Sequence, residues 1–355
     1  MFEYKNGISM MYEYKSGEIN MKMLLRLAVA SVFLGIFGTS SLEASAEPAK
    51  VIYRVTESDG PGREASNLSY RLDNFDKPQQ FQGGTVSFLS NDASERQQLC
   101  GIFKSADGSL LVIDGGVPEN ADKLVSAISA AGGSVDAWLI THPQDDHVGA
   151  LYEILHNKST GIEIKNIYYN FHDFSWYSKV APDEQGMVWN LMEEFENIRA
   201  SGSPTVLHSE IKKGDVIDVS ENISVRVLND PLKIEDSAYS VNDSGIMYDI
   251  SFEGKNFFVP GDMGPDGGEE LLRAGVLEGL NADYCVMSHH GQNGLKDNFY
   301  KKLSPKACIW SCPAWIYDAQ FGNSDGLKTY ETKQWIKQMN ITDNYCTYNG
   351  DINLK

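Results

Sequence analysis

Between positions 142 and 147 the chain reads His-Pro-Gln-Asp-Asp-His, which crowds His142, Asp146 and His147 into one turn. Imidazole and carboxylate groups at this density are ligands for a divalent cation. Pro143 steers His142 away from helical geometry, and the acids that follow suit the start of a helix, where negative charge is favoured. His147 is five positions from His142, out of phase for one helix face, so the groups belong to a loop. A cation held there lowers the pKa of bound water towards about 7 and neutralises charge developing on a phosphoryl or acyl oxygen. The chemistry expected is hydrolysis.

The elements that must position these groups are apolar runs ending in polar residues. Ala137-Trp138-Leu139-Ile140 leads into the His142 turn, Leu111-Val112-Ile113 into Asp114, Phe257-Phe258-Val259 into Pro260-Gly261-Asp262, and Tyr284-Cys285-Val286-Met287 into Ser288-His289-His290. Four strands thus deliver ligands at one kind of end. Around them the pattern predicts strands over 85–89, 100–103 and 110–113, with Asp107-Gly108 as a hairpin turn. Helices are expected over 121–131, 148–156, 183–200, 268–273 and 329–339. Further strands are expected over 162–169, 205–207, 224–228, 246–252, 257–259 and 284–287, with a last one around Asn349-Gly350 over 346–352. Val188, Leu191, Met192, Phe195 and Ile198 repeat at helical spacing and read as core. Two β-rich halves, each with helices, suggest an α/β sandwich of two sheets with helices outside.

Five motifs occur in order: Asp114-Gly115-Gly116, His142 to Gly149, Asn242-Asp243-Ser244, Gly261-Asp262 and His289-His290-Gly291. Their sequence resembles the metallo-β-lactamase superfamily, and within it the extracellular metallo-hydrolase domain of the competence protein ComEC. The resemblance spans about 85–352. It implies a four-layer αββα fold with mixed sheets, and a metal-dependent hydrolase. It further implies that Asp146, His147 and one histidine of the 289/290 pair hold one ion, that Asp262 bridges or completes the site, and that His142 serves a neighbouring ion. Either histidine of the pair could be the ligand. His289, nearer the strand end, is favoured, which leaves His290 with Asp146 for catalysis, Asp146 orienting the attacking water. Asp114 is expected to hold a ligand by hydrogen bonding, with Gln144, Asn242 and Asp243 also behind the ligands.

Two departures bear on the ion count. Gln144 stands where the superfamily carries its second histidine, and Asn242 and Asp243 stand where Gly-His-Thr is usual. The first ion position is therefore weakened, so one or two ions are expected. Zinc is the first choice, with manganese or iron compatible with mixed nitrogen and oxygen ligands. His156, His172 and His208 are read as structural, with His172 the least settled because it follows a strand. Trp176, Tyr177, Trp315 and Tyr317 are read as packing or loop anchors that could also wall a pocket.

The amino-terminal stretch stands apart. From Met21, Lys22 and Arg26 precede an apolar middle from Leu27 to Phe37 and a small-residue site at Ala44-Ser45-Ala46, the pattern of a secretory signal. The organisation expected is a spurious leader over 1–20, a signal peptide over 21–46, an extension over 47–84 and the hydrolase domain over 85–355, with the product secreted or extracytoplasmic. No later segment is long and apolar enough to span a membrane. Five cysteines leave at least one unpaired; packing roles with at most one bridge are expected, and Cys308 and Cys312 are the closest pair in sequence. The formal net charge of −19 disfavours nucleic acid as partner, because a long polyanion meets a repulsive field. A small phosphodiester, or a cell-wall-linked one as in the phosphorylcholine esterase of the same superfamily, fits better. The alternatives are a ComEC-like nuclease and a catalytically silent binding module that keeps the fold.

Overall fold

The computed structural model describes residues 81–157 and 159–355. The expected leader, the signal segment and most of the 47–84 extension lie outside the described residues. Among the described residues no helix is long and apolar enough to cross a membrane.

Among the described residues sixteen strands form the frame. The first eight are β1 (Thr85–Phe88), β2 (Cys100–Lys104), β3 (Leu110–Asp114), β4 (Ser134–Val135), β5 (Ala137–Leu139), β6 (Glu163–Ile164), β7 (Asn166–Tyr168) and β8 (Val206–His208). The second eight are β9 (Val216–Ser220), β10 (Ile223–Val227), β11 (Tyr248–Phe252), β12 (Lys255–Val259), β13 (Tyr284–Val286), β14 (Ala307–Trp310), β15 (Asp343–Cys346) and β16 (Ile352–Leu354). One seven-stranded sheet has the order β16-β1-β2-β3-β5-β7-β8 and the other β15-β14-β13-β12-β11-β10-β9, while β4 and β6 pair by themselves. In each sheet an antiparallel part gives way to a parallel one: β3, β5, β7 and β8 run parallel, as do β12, β13, β14 and β15. Parallel neighbours end together. That is why Asp114, His142, Asp262 and the histidine pair all emerge at strand ends facing one another.

Three apolar layers hold the arrangement. Between the sheets, Phe88, Phe103, Leu111, Ile113 and Leu139 of the first meet Ile250, Phe252, Phe257, Val259 and Ile309 of the second. The alternate residues of β3 and β5, including Leu110, Val112 and Trp138, face outward under α1 (Ala121–Ala130), α2 (Asp145–His156) and the longer helix Gln185–Ser201. A strand buried on both faces reads as an unbroken apolar run, as β3 does. On the other flank Phe258, Cys285, Met287 and Trp310 lie under the helices Pro265–Arg273, Asp297–Leu303 and Thr329–Gln338. Helix, sheet, sheet, helix is the order expected from the motifs.

Three local expectations change. The single strand expected over 162–169 is two, β6 and β7, which join different sheets on either side of Lys165. The segment expected as one last strand around Asn349-Gly350 is a 3-10 turn, Thr347–Asn349, that carries the chain from β15 in one sheet to β16 in the other. Trp176 and Tyr177, read as packing or loop anchors, lie in a short helix, Phe174–Val180.

Gly149, in the second turn of α2, shows how tightly the ligand-bearing helix is seated. A Cβ built there lies 2.3 Å from Pro118 Cδ and 2.6 Å from Pro118 N. Gly149→Ala is expected to lower stability by about 1–3 kcal/mol through overpacking, although alanine is the better helix former. Urea unfolding reads this directly; an unchanged midpoint would show that α2 is not clamped at Pro118.

Candidate metal centre

Asp146 and His147 sit in the first turn of α2. Its start is fixed by backbone contacts from the Asp114-Gly115-Gly116 turn and the loop before β2: Gly116 N–H donates to His147 O (3.1 Å) and Leu99 N–H to Asp146 O (3.1 Å). Asp262 follows Gly261, whose φ of +57° and missing Cβ let the turn approach Thr141; a Cβ there would lie 2.7 Å from Thr141 Cβ. His289 and His290 follow β13 with φ of +49° and +57°, and Gly291 continues at +84°. Non-glycine residues in this region cost on the order of 1–2 kcal/mol each. Of the six non-glycine residues with positive φ among those described, Asp114, His289 and His290 are at this centre, so local strain is concentrated where side chains must be aimed.

One ligand atom from each of Asp146, His147, Asp262 and His290 lies within 4.8 Å of the others, and all four residues are buried. His147 Nε2 is 3.2 Å from Asp262 Oδ1, and His290 Nε2 is 3.2 Å from Asp262 Oδ2 and 3.3 Å from Asp146 Oδ2. Even so, His147 Nε2, His290 Nε2 and Asp262 Oδ2 make no hydrogen bond of acceptable geometry, though they are out of reach of solvent. Buried polar atoms are ordinarily satisfied. Ligand atoms that converge on a point, rather than pairing with each other, fit a divalent ion with two nitrogen and two oxygen ligands once the imidazoles give up their Nε2 protons.

The far side of each ligand is tied down. His147 Nδ1–H donates to Asp114 Oδ2 (2.8 Å), while Asp114 Oδ1 accepts the Thr141 N–H (2.8 Å). His290 Nδ1–H donates to Ser311 O (2.8 Å), and Gln97 Nε2–H donates to Asp146 Oδ2 (2.8 Å), Gln97 being held in turn by Gln292 (2.7 Å). Each imidazole therefore presents Nε2 to the centre, the tautomer a ligand needs. Asp114 thus stands behind His147 by its hydrogen bond. Gln97, Gln292, Thr141 and Ser311 carry no motif, and nothing in their spacing announces them.

His290, not His289, enters the cluster. His289 Nε2 stays 3.9 Å from Asp262 Oδ2, and its ring packs edge-on to Tyr239 at 5.6 Å. The left-handed backbone reverses the direction of successive side chains, so nearness to the strand end does not decide which one points inward. His142 is also diverted. Its Nε2–H donates to Gln144 Oε1 (2.8 Å), and Gln144 Nε2–H donates to Glu184 Oε2 (2.7 Å). That nitrogen has no lone pair to offer an ion. The role of neighbouring-ion ligand expected for His142 is not supported by this arrangement.

Asp243 is elsewhere again. Its Oδ1 accepts the Gly264 and Gly267 N–H groups (2.9 and 3.1 Å) and so caps the helix that follows Asp262, touching no ligand. Asn242 lines a small cavity of about 210 Å³ beside Gln144 and Glu184. His156 pairs with Glu194 (2.7 Å), His172 donates to Leu232 O (2.9 Å) and His208 stacks on Tyr168 at 4.2 Å; none approaches the centre. Trp176 and Tyr177 are buried, Tyr317 packs on Trp310, and Trp315 is half exposed.

Burial by itself would depress both His147 and His290. The carboxylates outweigh it, Asp262 foremost, with Asp114 and Asp146 adding at His147 and Asp146 at His290, so His147 is held well above 6.5 and His290 is raised to about 9. Burial likewise opposes ionisation of Asp146 and Asp262, and His147 and His290 override it to keep both low. His142, buried and next to His147, is pushed down to about 3 and stays neutral.

Residues 93–220 match the profile of the metallo-beta-lactamase superfamily, a stretch that holds Asp114, His142, Asp146 and His147. The chain carries a metallo-β-lactamase superfamily domain. Superfamily members are mostly metal-dependent hydrolases that bind divalent ions, and the four-layer fold and the His/Asp cluster are both present here. No curated protein matches the chain. Among solved structures, the metallo-beta-lactamase fold protein YhfI from Bacillus subtilis is similar at 12% identity and a TM-score of 0.47, over 77% of this chain and 100% of that one. Unliganded yeast PDE1 is similar at 12% identity and a TM-score of 0.47, over 74% and 96%. Zn(2+)-bound PqqB from Methylobacterium extorquens is similar at 11% identity and a TM-score of 0.43, over 76% and 99%. Likenesses of this size leave the chemistry to the side chains.

Two predictions follow from the site. Asp114→Asn exchanges the charged partner of His147 for a neutral amide and should weaken metal affinity by about 10- to 100-fold, read by competition with a chromogenic chelator; unchanged affinity would remove Asp114 from the centre. The second concerns the chelated protein. Histidines raised in the fold above an unfolded value near 6.5 contribute stability that is full below that value and lost as pH rises through the folded one, here about 9 for His290. The urea midpoint in excess chelator should therefore fall between pH 6.5 and 9, and a flat or rising midpoint would contradict the charge assignment.

Proposed function

We propose that this protein is a metal-dependent phosphodiesterase acting on a small phosphodiester. The observation that carries the reading is the convergence of four buried ligand groups, three of whose atoms lack a hydrogen bond, beside an open groove. Asp146, His147, Asp262 and His290 would hold the ion. When bound, a divalent ion there polarises a phosphoryl oxygen and makes hydroxide available near neutral pH.

The remaining work falls to the chain. The groove has a volume of about 640 Å³ and is lined by Arg96, Gln97, Gln144, Asp145, Asp146, Asp183, Glu184, Gly186, Met187 and Trp315, a size suited to a small ligand. Asp146 belongs to both centre and groove, so its carboxylate is placed to orient a nucleophile towards a diester lying in the groove. Gln97 fixes that orientation through its bond to Asp146 Oδ2. Arg96 is the one cation in the lining, and Trp315 supplies an aromatic wall. His290 acts as a ligand and not as the separate catalytic residue expected beside Asp146, because Nδ1 is committed to Ser311 and Nε2 faces the carboxylates.

Charge selects among phosphate esters. Asp146 and Asp262 already neutralise a divalent ion, and Asp145, Asp183 and Glu184 make the groove acidic. A monoanionic diester meets less repulsion than a dianionic monoester or a nucleic-acid backbone. The complete four-group ligand set favours an enzyme over a silent binding module, even with Gln144 diverting His142.

The test is reconstitution with zinc and with manganese, elemental analysis, and turnover of bis-p-nitrophenyl phosphate. One ion per chain is expected, with Asp146→Ala losing more than about 100-fold in kcat/KM while the circular dichroism spectrum is retained. Neither metal being taken up, or Asp146→Ala turning over as wild type does, would refute the reading. Efficient cleavage of single-stranded or duplex DNA with manganese would shift it to a nuclease.

A further inference from the structure

All five cysteines are buried, but they are not alike. Cys100 lies in β2 in the outer layer of the first sheet. Cys285 and Cys308 are register partners on the parallel strands β13 and β14, and the Cys285 thiol donates to Val286 O (3.3 Å). Cys308, the sequence neighbour of Cys312, is thus held within the sheet. Cys312 lies two residues beyond the end of β14, where the chain passes over the end of β15. There Trp310 is in register with Cys346, and the Cys312 and Cys346 Sγ atoms are in van der Waals contact at 3.8 Å. The Cys346 Sγ also lies 3.8 Å from Cys312 O, and Thr347 Oγ1–H donates to the same carbonyl at 3.3 Å. Two strand ends are held edge to edge with their sulfurs facing.

We propose that Cys312 and Cys346 are a cross-linking pair, which a low-molecular-weight disulfide converts to an intrachain disulfide fastening the strand end next to the metal centre. The exchange balances. One cysteine thiolate attacks the reagent, forming a mixed disulfide and releasing one small thiol; the other attacks the protein sulfur, forming the Cys312–Cys346 bond and releasing the second. Two protein thiols are oxidised, one disulfide is reduced to two thiols, and the protons leave with them.

Burial pushes the Cys312 thiol well above its ordinary value, so its reactive thiolate is scarce once the chain has packed. The bond therefore forms during folding, before β15 closes on the end of β14. A pocket of about 190 Å³, lined among others by Cys312, Pro313, Ala314 and Thr347, borders the Cys312 side of the pair.

The place gives the cross-link a consequence. Ser311, adjacent to Cys312, accepts the His290 Nδ1–H through its carbonyl and donates its hydroxyl to Gln98 O (2.6 Å). Gln98 in turn accepts the Val117 N–H (3.2 Å) just beyond the Asp114-Gly115-Gly116 turn. The bond would close a loop between residues 34 apart, long enough for a substantial restriction of the unfolded chain, and would pin the carbonyl that orients a metal ligand.

The experiment refolds the full chain from denaturant in a mixture of reduced and oxidised glutathione. The product is then denatured in iodoacetamide without reductant and measured by intact mass and peptide mapping. Expected are three alkylated cysteines, a peptide joining Cys312 to Cys346, and a Tm several degrees above that of the reduced protein. Cys308→Ser should keep the linkage; Cys312→Ser and Cys346→Ser should each leave four alkylated cysteines and a Tm indifferent to reductant. Five alkylations in wild type, glutathione retained as a stable mixed disulfide, a linkage through another cysteine, or a Tm unmoved by reduction would each overturn the proposal.

Discussion

The charges of Asp146, His147, Asp262 and His290 must be compensated where the protein shields them from most of the solvent, and much of the structure around them serves that requirement. An uncompensated charge there would cost several kcal/mol. Without an ion, the two histidines are held protonated against the carboxylates. A divalent ion held by these four groups would bring two positive charges in place of the two protons. The apo and loaded centres are thus electrostatically alike, so loading needs deprotonation more than rearrangement, and affinity depends on pH for that reason.

Compensation works only if the groups stay in place, and the fold fixes them from behind. No ligand stands on a free side chain. His147 leans on Asp114, which is anchored by the backbone of Thr141; His290 leans on the Ser311 carbonyl; Asp146 on Gln97 and Gln292; and the turn after Asp262 on Asp243 through the Gly264 and Gly267 amides. These supports come from both sheets. Backbone strain at Asp114, His289 and His290 is what the aiming costs locally, and the two-sided packing of β3, β5, β12 and β13 sustains it.

Apolar runs ending in ligand-type residues made much of this legible in sequence. The strand ends, the ligand-bearing turn after Ile140 and the two-sheet order with helices outside follow from periodicity and motif order, whereas a supporting role for Asp114 came only with the family resemblance. What could not be read follows from three-dimensional causes. A tandem His289-His290 contains no information on which ring turns inward when both residues adopt left-handed φ. The crossing of the chain at Thr347 between sheets reads in sequence as one strand around Asn349-Gly350, because nothing local tells which sheet receives the residues on either side. Gln97, Gln292 and Ser311 act through amide or carbonyl groups that any loop carries, and only tertiary contact distinguishes them. Asp243 was legible as important but not as a helix cap, since its partners, Gly264 and Gly267, lie more than twenty residues away.

Gln144 links these themes. In a histidine-rich ligand turn a neutral amide looks like a loss, yet it makes two directed bonds and joins His142 to Glu184 across the mouth of the groove. With His142 neutral and donating to Gln144, the His142 side of the turn presents an amide and a carboxylate. Gln144 therefore acts as a wall. It forms part of the lining of both the large groove and the smaller cavity beside Asn242, and so the residue type at this one position bears on ion count and on substrate space together.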